Sequence, residues 1–315
     1  MTEAVRAEIS PVGGAISPPL RNVSAHIREW EDDRMSTLPT LAVTGSTGVL
    51  GRLVAANLAE ANIPQRLLVR NPAKAPQLPG AVVLPSTYSD TAATAEALKG
   101  VDVLFMVSGS ETLDRVDQHR AFIDSARAAG VGHIVYTSFF GASPTATFTL
   151  ARDHDATERY IESTGIPHTF LRDNLYIDFM DALVGEDGVI RGPAGEGRAA
   201  AVARQDIARV ASTVLQDPGS HRNVTYHLTG CEALTLDEVA NILSAHRGTP
   251  VTFYNETIDE AYASRARYGA PDWLVDAWVS TYTAIAAGEM AGLSDDVERI
   301  TGRRPITLDQ FLAQT

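Results

Sequence analysis

The stretch Thr40-Leu-Ala-Val-Thr-Gly-Ser-Thr-Gly-Val-Leu-Gly51 decides how the rest of the chain is read. A short apolar strand runs straight into glycines at 45, 48 and 51, and the helical pattern Leu53, Val54, Asn57, Leu58 follows. In this spacing Gly45 lets the chain leave the strand in a geometry that a side chain resists. Gly48 lets main-chain amides approach an anion, and Gly51 lets the helix pack closely on the strand. The helix start adds unpaired N–H groups and a partial positive charge. The pattern predicts a dinucleotide phosphate cradle made by Gly45, Ser46, Thr47, Gly48, Val49, Leu50 and Gly51. The alternative is a strand-to-helix turn with no ligand. The next strand, Arg66-Leu-Leu-Val69, supplies the strand–helix–strand context that a bare glycine motif lacks.

The end of that second strand selects the dinucleotide. An acidic residue there would bond a ribose 2′-hydroxyl and signal NAD, whereas an arginine accommodates a 2′-phosphate. The chain has Arg70-Asn-Pro-Ala-Lys74, and Lys74 is one of only two lysines, the other being Lys99. Arg70 can hold a phosphate in bidentate fashion, and Lys74 adds a second positive charge one turn on. NADP(H) is the expected cofactor; two solvated surface cations are the plainer alternative.

With 315 residues and 44% hydrophobic content the chain can bury a full core, as one large domain or as a domain with an appended lobe. It has no run of about 18 apolar residues, so no membrane span is expected. A formal charge of -13 disfavours nucleic acid as a direct partner. The sole cysteine, Cys231, excludes an internal disulfide, gives no metal-site spacing and fits a reducing cytoplasm. Residues 1–34 carry scattered Pro, Gly and Ser and then Arg28-Glu-Trp-Glu-Asp-Asp-Arg34, without the periodicity of a core element. They read as a poorly ordered, dispensable extension ahead of Met35.

Strand and helix signals keep alternating, which argues for an α/β doubly wound parallel sheet over 35–220. Strands are expected at 81–84, 101–107, 133–137 and 168–171, with helices around 91–98, 114–129 and 152–163. Ligands of such sheets lie at the carboxyl ends of the strands. The positions to inspect are therefore Ser86 to Asp90, Ser108-Gly109, Ser138-Phe-Phe-Gly141 and Arg172-Asp-Asn-Leu-Tyr176, and Ser108, Gly109, Thr137, Ser138 and Phe139 are assigned to the cofactor face. Beyond 220 the texture shifts to a smaller, mostly helical C-terminal lobe, 221–315, with room for the sheet contributions of the two parts to interleave. It is expected to hold a strand at 224–228, capping boxes at Thr235–Glu238 and Thr307–Gln310, and core aromatics Trp273, Trp278 and Tyr282.

Reductases of the short-chain type protonate their substrate with a tyrosine activated by a lysine four residues later. No Tyr-x-x-x-Lys is possible here, because no lysine follows Lys99. His154 occupies the lysine-like position, where it could bond the nicotinamide ribose or donate a proton; a solvent- or carboxylate-facing histidine is the alternative.

Gly45-Ser-Thr-Gly-Val-Leu-Gly51, Arg70–Lys74, His133-Ile-Val-Tyr-Thr-Ser138, His154-x-x-x-Glu158, Leu171–Tyr176 and Gly192-Pro-Ala-Gly-Glu-Gly197 occur in the order and spacing of the NmrA-like branch of atypical short-chain dehydrogenases. The chain resembles most its NADPH-dependent quinone oxidoreductases, from about Thr40 to the C-terminus. The resemblance implies a doubly wound (Rossmann) domain with a small lobe, NADPH held by the glycine loop with Arg70 and Lys74, and a homodimer. Two positions depart from it: Arg159 stands for a lysine, and Asp173-Asn174 for Asn-Gly. Quinone reduction requires little acid catalysis, which fits the missing Tyr–Lys pair. Phe139, Phe140 and Tyr176 are expected as apolar walls for a quinone or small carbonyl acceptor, with Asn174 on its carbonyl and His154, Asn174 and Tyr176 as the catalytic candidates. The same branch holds non-catalytic NADP(H)-sensing regulators, the second reading the sequence leaves open.

Overall fold

The computed structural model describes residues 38–89 and 91–314. The expected N-terminal extension and Asp90 lie outside them. Seven strands form a parallel sheet in the order β3-β2-β1-β4-β5-β6-β8. They are β1 (Leu41–Thr44), β2 (Gln65–Val69), β3 (Ala81–Pro85), β4 (Val103–Met106), β5 (His133–Phe139), β6 (His168–Asp173) and β8 (Val224–Leu228). β1, β2 and β5 are buried along their whole length and β4 at every position but Val103, as parallel strands covered on both faces should be.

Alternate residues feed two separate cores. Leu41, Val43, Leu67, Phe105, Val135 and Leu171 face one side and pack with α1 (Val49–Glu60) and α5 (Arg204–Gln216). Ala42, Leu68, Leu104, Met106, Ile134, Tyr136 and Phe170 face the other side and pack with α2 (Thr91–Leu98), α3 (Arg115–Ala128) and α4 (Thr149–Thr164). The fold is a doubly wound sheet whose order reverses between β1 and β4, with a smaller, helical C-terminal region.

Two features depart from the reading of the sequence. The strand at 224–228, expected in the lobe, is instead the edge of the main sheet, in register with β6 through Thr169↔Val224 to Asp173↔Leu228. Conversely β7 (Val189–Gly192), within the expected first domain, pairs with β9 (Thr252–Asn255) in a separate two-stranded sheet. The chain therefore crosses between sheet and lobe more than once. The lobe core gathers Ile190, Leu236, Val239, Leu243, Val251, Ala277, Ile285 and Leu308 from β7, α6 (Leu236–Arg247), α8 (Asp272–Ala286), α10 (Leu308–Leu312) and their connections. α7 (Ile258–Arg265) packs on α8 through Ala261, Val275 and Val279, and α9 (Asp296–Thr301) sends Val297 back into the main core. Both predicted capping boxes are present, Thr235 with Glu238 and Thr307 with Gln310. Among the described residues no helix is long and apolar enough to cross a membrane.

Candidate active site

The cradle is built from the chain's own backbone. Gly45 lies at φ +66°, and a β-carbon there would stand 2.9 Å from Val107 Cβ. One on Gly51 would meet Gly45 O at 2.4 Å, so only glycine lets α1 start this close to the strand. Gly48 N donates to Gly45 O at 2.9 Å. Gly48 is also the N-cap of α1, with no side-chain cap and no acidic residue in the first turn, leaving the helix amides and the positive end of the dipole for an outside anion. Ser46 Oγ is buried and has no hydrogen-bond partner among the described residues. An unfilled donor in a glycine cradle is what a bound phosphate oxygen would satisfy, so the residues present fit a dinucleotide. Thr47 and Val49 are exposed, whereas Leu50 packs into the core and can offer an anion only its backbone.

Two arginines of the β2 region differ in use. Arg66 is buried, donating to the carbonyls of Pro39, Ala97 and Lys99. Arg70 and Lys74 are exposed and form no ion pair among the described residues. Asn71 Oδ1 accepts from Ala73 N at 3.1 Å and shapes the single turn between them.

The strand ends are tied together from below. Thr44 Oγ1 accepts from Val107 N at 2.8 Å, and Tyr88 Oη reaches both Thr44 Oγ1, at 3.0 Å, and Val107 O. Ser108 N donates to Thr137 Oγ1 at 2.8 Å, and Gly109 N to His119 Nε2 at 2.8 Å. Accepting at Nε2 fixes the proton of neutral His119 on Nδ1, facing Thr157 Oγ1 at 2.9 Å. Burial and the nearby Arg115 charge push its pKa down to about 3. Thr137 thus serves the site as the anchor of the β4 loop. Ser138 Oγ donates to Glu158, which also receives Arg172 at 2.9 Å and 2.5 Å, so this serine is engaged inside the protein.

The structure gives His154 a different task from proton donation. Its Nε2 accepts from Arg115 Nη2 at 3.2 Å, and its Nδ1 meets Tyr136 Oη at 3.1 Å. Both ring nitrogens are engaged, and burial followed by the Arg115 charge holds the pKa well below the usual histidine value. With both nitrogens bonded to Arg115 and Tyr136, the imidazole aims no N–H at a ligand and is not placed to donate a proton to a substrate. Arg115, itself buried, donates to Gly109 O at 3.1 Å and stands 3.7 Å from Asp153. His154 therefore acts on the β4 loop through Arg115. Neither Arg115 nor His119 was among the expected site residues, whereas Tyr88 lies within Ser86 to Asp90, a segment the sequence marked for inspection. The i,i+4 spacing of Arg115 and His119 on α3 was the available signal, but charged helix residues usually face solvent.

The expected substrate contacts separate. Asn174 is fully buried, its Nδ2 donating to Met290 O at 3.0 Å and its Oδ1 accepting from Leu175 N at 2.8 Å. Its amide seals the lobe against the sheet and is not available to a substrate carbonyl. Phe139 is buried against Phe148, ring centroids 4.9 Å apart, and Phe140 packs edge-on against His227. Of the proposed aromatic walls only Tyr176 lines the large cleft, of about 1460 Å³. The other aromatic walls are Phe179, Tyr268, Trp278 and Tyr282, so Trp278 and Tyr282 face the cleft rather than a closed core. Tyr176 Oη donates to Asp173 Oδ2 at 2.7 Å. Burial raises the Asp173 pKa to about 7, against the lowering effect of that hydrogen bond.

A doubly wound sheet carrying a glycine cradle at its switch point defines a dinucleotide-binding protein. The NmrA-like family model matches residues 38–267, and the chain belongs to that family. It is 35% identical over 280 residues to quinone oxidoreductase 2 of Escherichia coli, covering 87% of this chain and 97% of that protein. The crystal structure of the Escherichia coli NADPH-dependent quinone oxidoreductase complexed with NADPH superposes with a TM-score of 0.80 at 34% identity, covering 87% of this chain and 99% of that one. The triphenylmethane reductase of Citrobacter sp. complexed with NADP(H) gives 0.78 at 35%, with the same coverage.

Proposed function

We propose that the chain is an NADPH-dependent reductase that delivers hydride to a flat, electron-poor quinone or related carbonyl compound. The observation that carries this reading is the phosphate cradle after β1 together with Arg70 and Lys74, exposed and without an ion pair among the described residues; an aromatic-walled cleft begins at Leu175 and Tyr176, just past β6. Gly45 to Gly51 hold the pyrophosphate, and Arg70 with Lys74 hold the 2′-phosphate. NADPH, when bound, supplies the hydride. Ser108 and Gly109 would line the cofactor face on a loop that Thr137, His119 and Arg115 fix. That rigidity serves orientation, the main requirement for a readily reduced acceptor.

The cleft exceeds the roughly 300–1,000 Å³ of ordinary small-molecule pockets, and its walls suit an extended aromatic acceptor. A net charge of -13 suits a small-molecule substrate rather than nucleic acid. The sensor reading finds less support, since the relatives near 35% identity are reductases, while solved NmrA regulator structures are 13–15% identical. Following NADPH absorbance with a panel of quinones, aldehydes and enones tests the assignment. Oxidation with at least one acceptor is expected, and NADPH binding without turnover of any would leave the sensor reading in its place.

A further inference from the structure

We propose that Asp173 and Tyr176 form a proton relay at the inner end of the cleft, with Tyr176 as the group that donates to the reduced acceptor and Asp173 as the positioning residue that sets which way its proton points. The proposal rests on the reductase reading above.

Three observations carry it. Tyr176 lines the cleft, and its hydroxyl is bonded inward to Asp173 Oδ2 at 2.7 Å rather than outward. Asp173 is 3% exposed, ends β6 beside Phe139 of β5 and Leu228 of β8, and among the described residues has no arginine or lysine hydrogen-bonded to it. A carboxyl so placed can both accept from the tyrosine and, when protonated, supply a proton to it.

The two protonation states of Asp173 do different things. As a carboxylate it only accepts, so it captures the Tyr176 proton and the phenol presents a bare oxygen to the cleft. As an acid it donates to Tyr176 Oη, and the phenol proton is released toward the ligand. Burial raises the Asp173 pKa to about 7 and keeps Tyr176 well above the usual phenol value, so Tyr176 stays a neutral donor. The charged groups that face the pair are few. Arg115 of α3 acts on Asp173 from a distance. Arg204, at the start of α5, lies 5.8 Å from the Tyr176 ring centroid and is bonded to Asp178 at 2.9 Å. His154 is held neutral, and Arg172 is paired with Glu158.

The step balances for a conjugated carbonyl. Hydride from NADPH forms the new C–H bond at the β-carbon, the C=C pair shifts to leave negative charge on oxygen, and NADP⁺ is left. Oxygen takes the Tyr176 proton, the tyrosinate takes the Asp173 carboxyl proton, and solvent reprotonates the carboxylate. For a quinone the same proton goes to the oxygen of the hydroquinone anion.

The test is the pH profile of kcat at saturating NADPH, with one benzoquinone and one enone, for the wild type, Asp173→Asn and Tyr176→Phe. The wild type is expected to lose turnover as pH rises through about 7. Asp173→Asn should flatten that profile, and Tyr176→Phe should lower kcat for the enone by about 10²-fold while leaving NADPH binding intact. A purely structural role of Asp173 would lower stability without moving the inflection. Infrared difference spectra of the wild-type protein, taken either side of pH 7, read the carboxyl directly and do not depend on a variant folding. A protonated-carboxyl band that titrates near 7 is expected. An inflection that survives in Asp173→Asn, an unchanged kcat in Tyr176→Phe, or the absence of that band overturns the relay alone. No turnover of any acceptor by a wild type that binds NADPH overturns the reductase reading and the relay with it.

Discussion

The phosphate cradle and the aromatic cleft are assembled on opposite principles. Twelve consecutive residues, Thr40 to Gly51, make the cradle, and its working parts are backbone groups and the absence of side chains. The cleft is walled by segments from Leu175 to Leu308, and its working parts are aromatic faces: Tyr176 and Phe179 from the segment after β6, Tyr268 from the turn after α7, and Trp278 and Tyr282 from α8. A site of the first kind is intolerant of any added atom, whereas one of the second kind yields by moving a side chain.

The same substitution in both places exposes that contrast most strongly. In Gly51→Ala the new carbon meets a fixed carbonyl at 2.4 Å, and in Gly192→Ala it meets the Tyr282 ring at 2.2 Å. Gly51→Ala is expected to cost about 3 kcal/mol or more and to abolish NADPH binding, read by thermal unfolding and fluorescence titration. Gly192→Ala should push the ring into the cleft and raise KM for the acceptor, leaving NADPH Kd unchanged. Equal effects on Kd in both variants would break the comparison.

Arg70→Ala tests the cradle's cation side. NADPH affinity should fall by roughly 1.5–3 kcal/mol, the range for a charge-assisted hydrogen bond, with NADH barely affected. Equal losses for both cofactors in a calorimetric titration would remove the 2′-phosphate assignment.

The polar framework under the strand ends makes a prediction in pH. His119 titrates at about 3 in the folded protein and near its ordinary 6.5 when unfolded. The unfolded chain binds the proton first, so the stability is fully present above pH 6.5 and is lost as the pH falls toward 3. One unit below the unfolded value the loss is about 1.4 kcal/mol. His119→Gln should remove part of this acid sensitivity in denaturant melts; an unchanged dependence would show that His119 is protonated in the fold.

On the cleft side, Trp278→Ala removes one wall of a large, adaptable pocket. KM for an extended aromatic quinone should rise roughly three- to tenfold, about 1 kcal/mol, with kcat for a small benzoquinone unaffected. A fall in kcat for both acceptors would mean that Trp278 supports the reacting geometry rather than the far end of the substrate.

The apolar runs of the strands, the glycine spacing and the arginine after β2 are local patterns, and backbone sterics and periodicity suffice to read them. They were enough to predict a parallel sheet, its order of elements and the cradle. The same reading passed over α5 and over β7, a four-residue strand that carries little periodicity, and it placed the strand at 224–228 in the lobe because sheet partners are set by distant contacts. What a side chain faces is a property of packing, and here the sequence was silent. Asn174 bonds the lobe through Met290, Phe139 and Phe140 are packed away, and His154 is held by Arg115 and Tyr136. Asp173 was legible in the sequence as a carboxyl just past a strand. That it is buried against Tyr176 at the edge of the cleft, and so holds its proton to about pH 7, was decided only when β5, β6 and β8 closed around it.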